Sequence, residues 1–400
     1  MHYPSSSRHD AELVELIVSR VQTLLDYKDL FITQFPVGLD SHVEKVIGCI
    51  ANNSTKVCMI GIWGMGGSGK TTIAEAIYNR LYHTFIGKSF IHNIREDCDG
   101  LSGGHIHLQE NLLYDVLKSN LEVKNVGMGR TLIKNRFCPK KLLIVLDDVN
   151  EFGQLQNLCG NREWFGQGTV IIITTRDVHL LKLLKVNYVY ETDGMNENDS
   201  LELFGWHAFR GEKPIQDFNE VARNVVGYCG GLPLALSVLG SYLSQRTGEE
   251  WKSVLSKLKR FPIDEVQSKL KISFDCLRDD LEKEIFLNVC CFFIGKERGY
   301  VTQILNGCGL HADIGITVLI ERGLIKVERN NKLEMHALLR DMGREIIRQS
   351  WPKEPEKRSQ LWFQDDVIHV LKENTVRTFS TYDFETYFES VFFFKCKMCC

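Results

Sequence analysis

The stretch Gly64-Met65-Gly66-Gly67-Ser68-Gly69-Lys70-Thr71 constrains this chain more than any other. It fits G-x-x-x-x-G-K-[ST] and lies between a short apolar, β-rich run, Val57 to Ile62, and a helical stretch, Lys70 to Leu81. Glycines at these places let the backbone curl until its N–H groups converge on phosphate oxygens, and the helix N-terminus adds a favourable dipole. Lys70 would then reach the β- and γ-phosphates, and the Thr71 hydroxyl would ligate Mg²⁺. Gly64, Gly66, Gly67, Ser68, Gly69, Lys70, Thr71 and Thr72 are thus candidate nucleotide contacts. The same residues also satisfy G-x-G-x-x-G, the pattern of a dinucleotide site. Such a site wants an acidic residue about twenty positions on for the ribose hydroxyls. The segment TFIGKSFIHNI, residues 84–94, contains none. The Lys-Thr ending and an acidic pair farther on decide for the phosphate loop.

That pair closes the apolar run Leu142-Leu143-Ile144-Val145-Leu146-Asp147-Asp148. Asp147, at the end of a buried strand, is placed to hold Mg²⁺ through water, and Asp148 to orient or deprotonate a hydrolytic water. Either acid alone would pass as a strand ending in a turn. Thr174-Thr175-Arg176 ends another strand, where Arg176 fits a γ-phosphate contact or a surface salt bridge equally well.

The surrounding pattern alternates. Ser89 to Ile94, Leu142 to Leu146 and Val170 to Thr174 read as strands, with a helix from His107 to Leu117. Short continuous apolar strands separated by helices make a parallel sheet covered on both faces. The expected fold is therefore a doubly wound α/β domain over residues 36–195. Before it, residues 11–30 place Leu13, Ile17, Val21 and Leu24 at helical spacing. That gives a linker helix within 1–35, a turn at Phe35-Pro36-Val37-Gly38 and a second helix over 40–51.

Beyond residue 195 strands almost vanish. Segments 199–209, 217–228, 233–244, 249–259 and 279–293 read as amphipathic helices. Gly230-Gly231 stops one helix and Pro233 suits the first turn of the next. GLIKVERNNKLEMH predicts a hairpin around Asn330-Asn331. A helix from Ala337 to about Gln349 follows, burying Leu338, Leu339, Met342 and Ile346. A helical domain over 196–270 and a winged-helix-like domain over 271–372 are the expected remainder, with a tail from 373.

Composition excludes several classes. Of the 400 residues, 44% are apolar and 25% charged, as in an ordinary folded protein. A formal net charge of −3 argues against a general grip on nucleic acid. The hairpin region, residues 300–349, carries seven Lys/Arg against six Asp/Glu, nearly neutral. No export signal core opens the chain. IFLNVCCFFIG, residues 285–295, is too short to span a bilayer and reads as a buried helix. The thirteen cysteines are expected to be mostly reduced, buried thiols. Cys396 and Cys399 lack the further ligands that zinc needs. A kinase is not expected, because no H-R-D catalytic loop is present.

Taken in order, FPVGLDSHVEKV, GIWGMGGSGKTTIA, SFIHNIRED, KKLLIVLDDVN, GTVIIITTRD, LELFGWHAF, GLPLALSVLG, LKISFDCL and MHALLRDMGREII resemble the NB-ARC region of plant disease-resistance proteins of the Toll/interleukin-receptor class. The resemblance runs from about Ser7 to Asn374. It implies a nucleotide-binding domain, a helical domain and a winged-helix domain that close around ADP at rest and open when ATP replaces it. It places Val37 near the adenine, Pro233 against it and His336 on the ADP phosphate. It further implies a signal-transducing switch of plant innate immunity with at most slow ATPase activity, partnered by other immune-receptor proteins. A cytoplasmic location follows, with a nuclear one also compatible. Three departures accompany it. The signalling domain and leucine-rich repeats of the family have no counterpart here, which suggests a truncated adaptor or decoy form. The tail from about Thr375 matches nothing in the family. Where the family has Met-His-Asp, this chain has Met335-His336-Ala337.

Overall fold

The computed structural model describes residues 30–51, 56–100, 103–209, 219–258 and 263–372. The expected entry helix, Leu30 apart, and the expected tail from 373 lie outside these residues. By internal packing the described chain forms two units. One holds the residues up to Leu255 with Asp264–Cys276 and Ile320–Leu324; the other holds Ser256–Ile263, Leu277–Leu319 and the residues from Ile325 on.

The first unit begins with α1 (Leu39–Ala51), β1 (Cys58–Trp63), α2 (Lys70–Leu81), β2 (Gly87–Ile91), α3 (Ile94–Gly100) and α4 (Gly104–Leu117). It continues through α5 (Val126–Phe137), β3 (Leu142–Val149), α6 (Phe152–Leu158), β4 (Val170–Thr175), α7 (Val178–Leu184) and β5 (Tyr188–Glu191). The strands form one parallel sheet in the order β2-β3-β4-β1-β5. Successive side chains alternate between its faces. Met59, Ile144, Leu146, Ile171 and Ile173 meet Leu108, Leu112, Ile133, Phe137, Leu155 and Leu181 of the helices on one side. Cys58, Ile60, Ile62, Leu143, Val145 and Ile172 meet Ile73, Ala74 and Ile77 of α2 and Val43 and Val46 of α1 on the other. Full burial of one such aliphatic side chain contributes about 1.5–3 kcal/mol. Burial on both faces is why these strands read as unbroken apolar runs.

Strand order matters for the site. Because β4 lies between β1 and β3, its C-terminal end sits between the glycine-rich loop that follows β1 and the two aspartates that end β3. The register of β3 on β4 shifts between Leu146 and Val149, and Asp148 takes a positive φ of 54°. Such a bulge re-aims the side chains it contains.

Five more helices follow in the first unit: α8 (Glu197–Phe209), α9 (Asn219–Cys229), α10 (Pro233–Leu243), α11 (Gly248–Leu258), whose last three residues are counted with the second unit, and α12 (Asp264–Asp275). Trp251 is buried against Phe204, with ring centroids 5.6 Å apart, and its indole N–H donates to the Leu243 carbonyl at 3.0 Å. The division expected at residue 270 falls inside α12. That helix packs with the first unit through Val266, Leu270 and Phe274, a stripe that periodicity alone does not attach to either neighbour.

In the second unit α13 (Asp280–Asn288) runs into a π-helical turn, Val289–Phe293, followed by α14 (Arg298–Gly307) and α15 (Ala312–Glu321), whose last two residues are counted with the first unit. The hairpin of β6 (Lys326–Val327) and β7 (Leu333–Glu334) pairs antiparallel, and a bridge from Glu297 to Lys332 extends it. Asn331 turns the wing with φ 62°. α16 (Ala337–Ser350) and α17 (Gln364–Lys372) follow. Gly343 lets α16 approach the π turn, since a Cβ there would lie 2.4 Å from Cys290 Sγ. The run over 285–295 is the buried helix expected, with Ile285, Phe286, Val289, Cys290 and Phe293 in the core. Among the described residues no helix is long and apolar enough to cross a membrane. On α16, Leu338, Leu339 and Met342 are buried as expected, but Ile347 and not Ile346 completes the stripe. Among the described cysteines Cys58, Cys159, Cys229 and Cys290 are buried as expected; Cys138 and Cys308 are exposed, against the expectation of burial.

Candidate functional site

The loop Gly64–Gly69 leaves β1 and turns into α2 through Gly67 and Gly69, whose φ angles are 77° and 86°. Both lie in the left-handed region that favours glycine. Gly66 is needed for space. A Cβ there would stand 2.9 Å from Arg176 Nη1 and 3.2 Å from the Lys269 carbonyl oxygen. At Gly67 a Cβ would meet Leu234 Cβ at 2.7 Å, and the Leu234 N–H donates to the Gly67 carbonyl at 3.3 Å. The loop is thus bordered by β4, by the first turn of α10 and by α12.

Lys70 begins α2 and is buried, its Nζ donating to the carbonyls of Gly64 at 2.9 Å and Met65 at 2.8 Å. Burial pushes its ammonium down to about 7 and the charge on Arg176 pushes the same way, against Asp148 and Asp147. Two cations therefore face one glycine-rich loop and disfavour each other. Gly69 offers no side-chain cap to the first N–H groups of α2, which have no intrahelical acceptor. An anionic phosphate would answer both needs. On this donor set the residues fit a nucleotide phosphate.

Thr71 Oγ1 donates to Asp147 Oδ1 at 2.8 Å, and Thr174 Oγ1 donates to the same oxygen at 2.6 Å. Asp147 is buried and Thr71 half-buried. One hydroxyl and one carboxylate side by side suit Mg²⁺, which keeps most of its waters. Among the described residues no cluster of three or more His, Cys, Asp or Glu forms a metal site on its own. Thr72 is half-buried in the first turn of α2, and Ser68 Oγ lies 2.6 Å from Thr192 Oγ1.

Asp148 is otherwise engaged. Its Oδ2 accepts from Arg95 Nε at 2.9 Å, and its Oδ1 lies 3.5 Å from Arg176 Nε. Burial alone would raise the carboxyl; Arg176, Arg95 and Lys70 outweigh it and hold it below the ordinary carboxylate range. A carboxylate so held is a weak proton acceptor.

The turn before α1 lies against α8. Phe35 stacks on Trp206 with centroids 5.3 Å apart and meets His207 edge-on at 5.1 Å. Val37 is half-buried in this turn, its N–H donating to the Phe35 carbonyl at 2.9 Å. Pro233 opens α10, its Cγ 3.8 Å from where a Cβ on Gly69 would be. The first unit therefore brings the glycine-rich loop together with Arg176, Asp147, Asp148 and Pro233. His336 belongs to the second unit, where it caps α16, its Nδ1 accepting from the Leu338 N–H at 3.2 Å.

Residues 39–213 match the NB-ARC domain family. The chain carries an NB-ARC domain. Residues 279–350 of this NB-ARC protein match a winged-helix domain described as disease resistance protein Roq1-like. The chain is 42% identical over 371 residues to the disease resistance protein RUN1 of Vitis rotundifolia, covering 92% of this chain and 28% of that protein. It is 38% identical to the TMV resistance protein N of Nicotiana glutinosa, covering 92% of this chain and 32% of that one. It thus spans about a third or less of these relatives' lengths. A Walker-type ATPase of Pyrococcus abyssi shares the fold at 13% identity and a TM-score of 0.51, over 80% of this chain and 99% of that one.

Three participants escaped sequence reasoning. Arg95 stands in SFIHNIRED, and Lys269 and Ser273 stand in or beside LKISFDCL; these stretches were legible as family matches but not as contacts of Asp148 and of Arg176. Glu75 is a fourth addition. It lies one helical turn beyond Thr71, 4.0 Å from His92 Nδ1, and burial followed by the charge of Asp147 pushes it up to about 7.

Proposed function

We propose that this NB-ARC chain is an ADP/ATP-controlled switch of plant innate immunity. The observation that carries the reading is the convergence of Lys70 and Arg176 on the loop Gly64–Gly69, beside the Thr71–Asp147 pair. In this reading Gly64, Gly66, Gly67, Ser68, Gly69, Lys70, Thr71 and Thr72 hold the phosphates, and Thr71 and Asp147 hold Mg²⁺. Bound Mg²⁺ neutralises phosphate charge and lowers the cost of bringing the two together. Val37 and Pro233 flank the base, and family resemblance assigns His336 to the phosphate. Arg176 is the residue that distinguishes a third phosphate from two.

The second reading is a turnover ATPase. The ion pairs of Asp148 weigh against it, since they leave this residue better suited to positioning Arg176 than to accepting a proton. Hydrolysis, where it occurs, is slow. DNA binding is disfavoured on a separate ground. α15, the helix before the wing strands, has the sequence ADIGITVLIE, which contains Asp313 and Glu321 and no Lys or Arg. Such a helix repels phosphate backbone. The partners are other immune-receptor chains and the location is cytoplasmic or nuclear. Chromatographic identification of the nucleotide that co-purifies with the chain tests the reading. ADP is the expected occupant, and protein purified fully folded without any nucleotide affinity would refute it.

A further inference from the structure

Arg176 is better connected than a phosphate sensor needs to be. Its Nη1 donates at 3.2 Å to the Lys269 carbonyl and at 3.2 Å to Ser273 Oγ, both on α12. The same Nη1 would lie 2.9 Å from a Cβ on Gly66, so the guanidinium stands at the edge of the phosphate loop while it reaches α12. Its Nε is buried without a hydrogen-bond acceptor among the described residues, with Asp148 Oδ1 as its ion-pair partner 3.5 Å away. Asp148 is in turn held by Arg95. The side chain thus has one ion pair behind it and two long hydrogen bonds, to neutral acceptors, ahead of it.

We propose that α12 is the resting seat of Arg176, and that the terminal phosphate of a nucleoside triphosphate competes for that guanidinium and unseats the helix. This deepens the proposed function and rests on it. An ionised phosphate oxygen is a stronger acceptor for guanidinium than a helix carbonyl already serving its own helix or a serine hydroxyl. Gly66 brings the competing site within the arm's reach. A diphosphate has no third phosphate to compete with and leaves Arg176 on Lys269 and Ser273. α12 is also the segment from which the chain passes, at Leu277, into the second unit. Asp148 and Arg95 act as positioning residues that keep Arg176 between its two acceptors.

The test is hydrogen exchange of the amides over 264–276 in the full chain, with Mg·ADP and with the non-hydrolysable β,γ-imido analogue of ATP. Binding of each nucleotide is followed in parallel by calorimetry. The expected result is exchange in α12 faster by about tenfold with the analogue than with ADP, the scale of one lost charge-assisted hydrogen bond. Arg176→Gln should show the fast rate already with ADP and no further change with the analogue. Should that variant not fold, Ser273→Ala, which removes one of the two acceptors, should move the ADP-state rate toward the fast one. If both nucleotides bind and α12 exchanges equally fast or more slowly with the analogue, the seat does not exist. A nucleotide effect that survives Arg176→Gln also overturns it. If neither nucleotide binds, the failure lies in the nucleotide reading itself.

Discussion

Thr71 and Asp147 face each other across α2 and β3, with the threonine hydroxyl donating to the carboxylate at 2.8 Å. If these two oxygens hold Mg²⁺ as proposed, nucleotide binding depends on the metal. Thr71→Val should bind ADP about tenfold more weakly in Mg²⁺ and no more weakly than the parent in EDTA, a loss in the range for one ligand or one hydrogen bond to a charged group. Calorimetry with and without Mg²⁺ checks this. An equal loss under both conditions would mean that the pair is structural only.

Gly66 is a matter of room, because a Cβ would press on Arg176 Nη1 at 2.9 Å and on the Lys269 carbonyl at 3.2 Å. Gly66→Ala should lower unfolding stability by about 1–3 kcal/mol, the usual cost of overpacking. Gly153→Ala, in α6 with nothing within 4 Å of its Cβ, should leave stability unchanged or raise it by up to about 1 kcal/mol. Denaturant titration of the two variants separates them, and equal effects would contradict the packing.

Asp148 answers two cations at once, its side chain only 16% exposed beside Arg95 at 15% and Arg176 at 20%. Removing it leaves two mostly buried guanidiniums without their shared carboxylate. Asp148→Ala should destabilise by about 3 kcal/mol. Arg95→Met in the same background should then restore part of the loss. A double-mutant cycle by thermal melts measures this, and strict additivity would show that the carboxylate does not bind Arg95 as described.

Glu297 joins the start of α14 to the wing. Its Oε1 accepts from the N–H of Gly299 at 3.0 Å and from Asn331 Nδ2 at 2.6 Å, and its Oε2 accepts from the N–H of Tyr300 at 2.9 Å. The Gly299 and Tyr300 amides, with Asn331 adding to them, hold its carboxyl below the ordinary 4.5. A depressed folded-state value stabilises above the unfolded one and is lost as pH falls through the folded one. Glu297→Ala should therefore melt earlier than the parent at neutral pH, with the gap closing below about pH 4. Melts between pH 7 and pH 3 that keep a constant gap would refute the capping role.

How much of this was legible in the sequence follows from how local each signal is. Gly64 to Thr71 carries its chemistry in consecutive residues, and Leu142 to Leu146 announces a doubly covered strand by being unbroken. The hairpin at Asn330-Asn331 is equally local, because Asn331 tolerates the positive φ the turn requires. By contrast α3, α6 and α7 span two turns or fewer, too short for a helical period to stand out. β5 buries only Tyr190 of its four residues and reads as loop. The bulge at Asp147–Asp148 came from pairing with β4, which nothing near the aspartates encodes. The least legible part was the setting of Arg176. Its partners Asp148, Lys269 and Ser273, and the Arg95 that holds Asp148, are distant in sequence, and only the sheet order and the packing of α12 bring them together.

The central claim is that the glycine-rich loop with Lys70 holds the phosphates of ADP. Lys70→Ala removes charge-assisted hydrogen bonds to phosphate, each worth about 1.5–3 kcal/mol. Titration calorimetry of the folded variant should give an ADP affinity at least about tenfold below that of the parent chain. Unchanged ADP binding by folded Lys70→Ala would contradict the account.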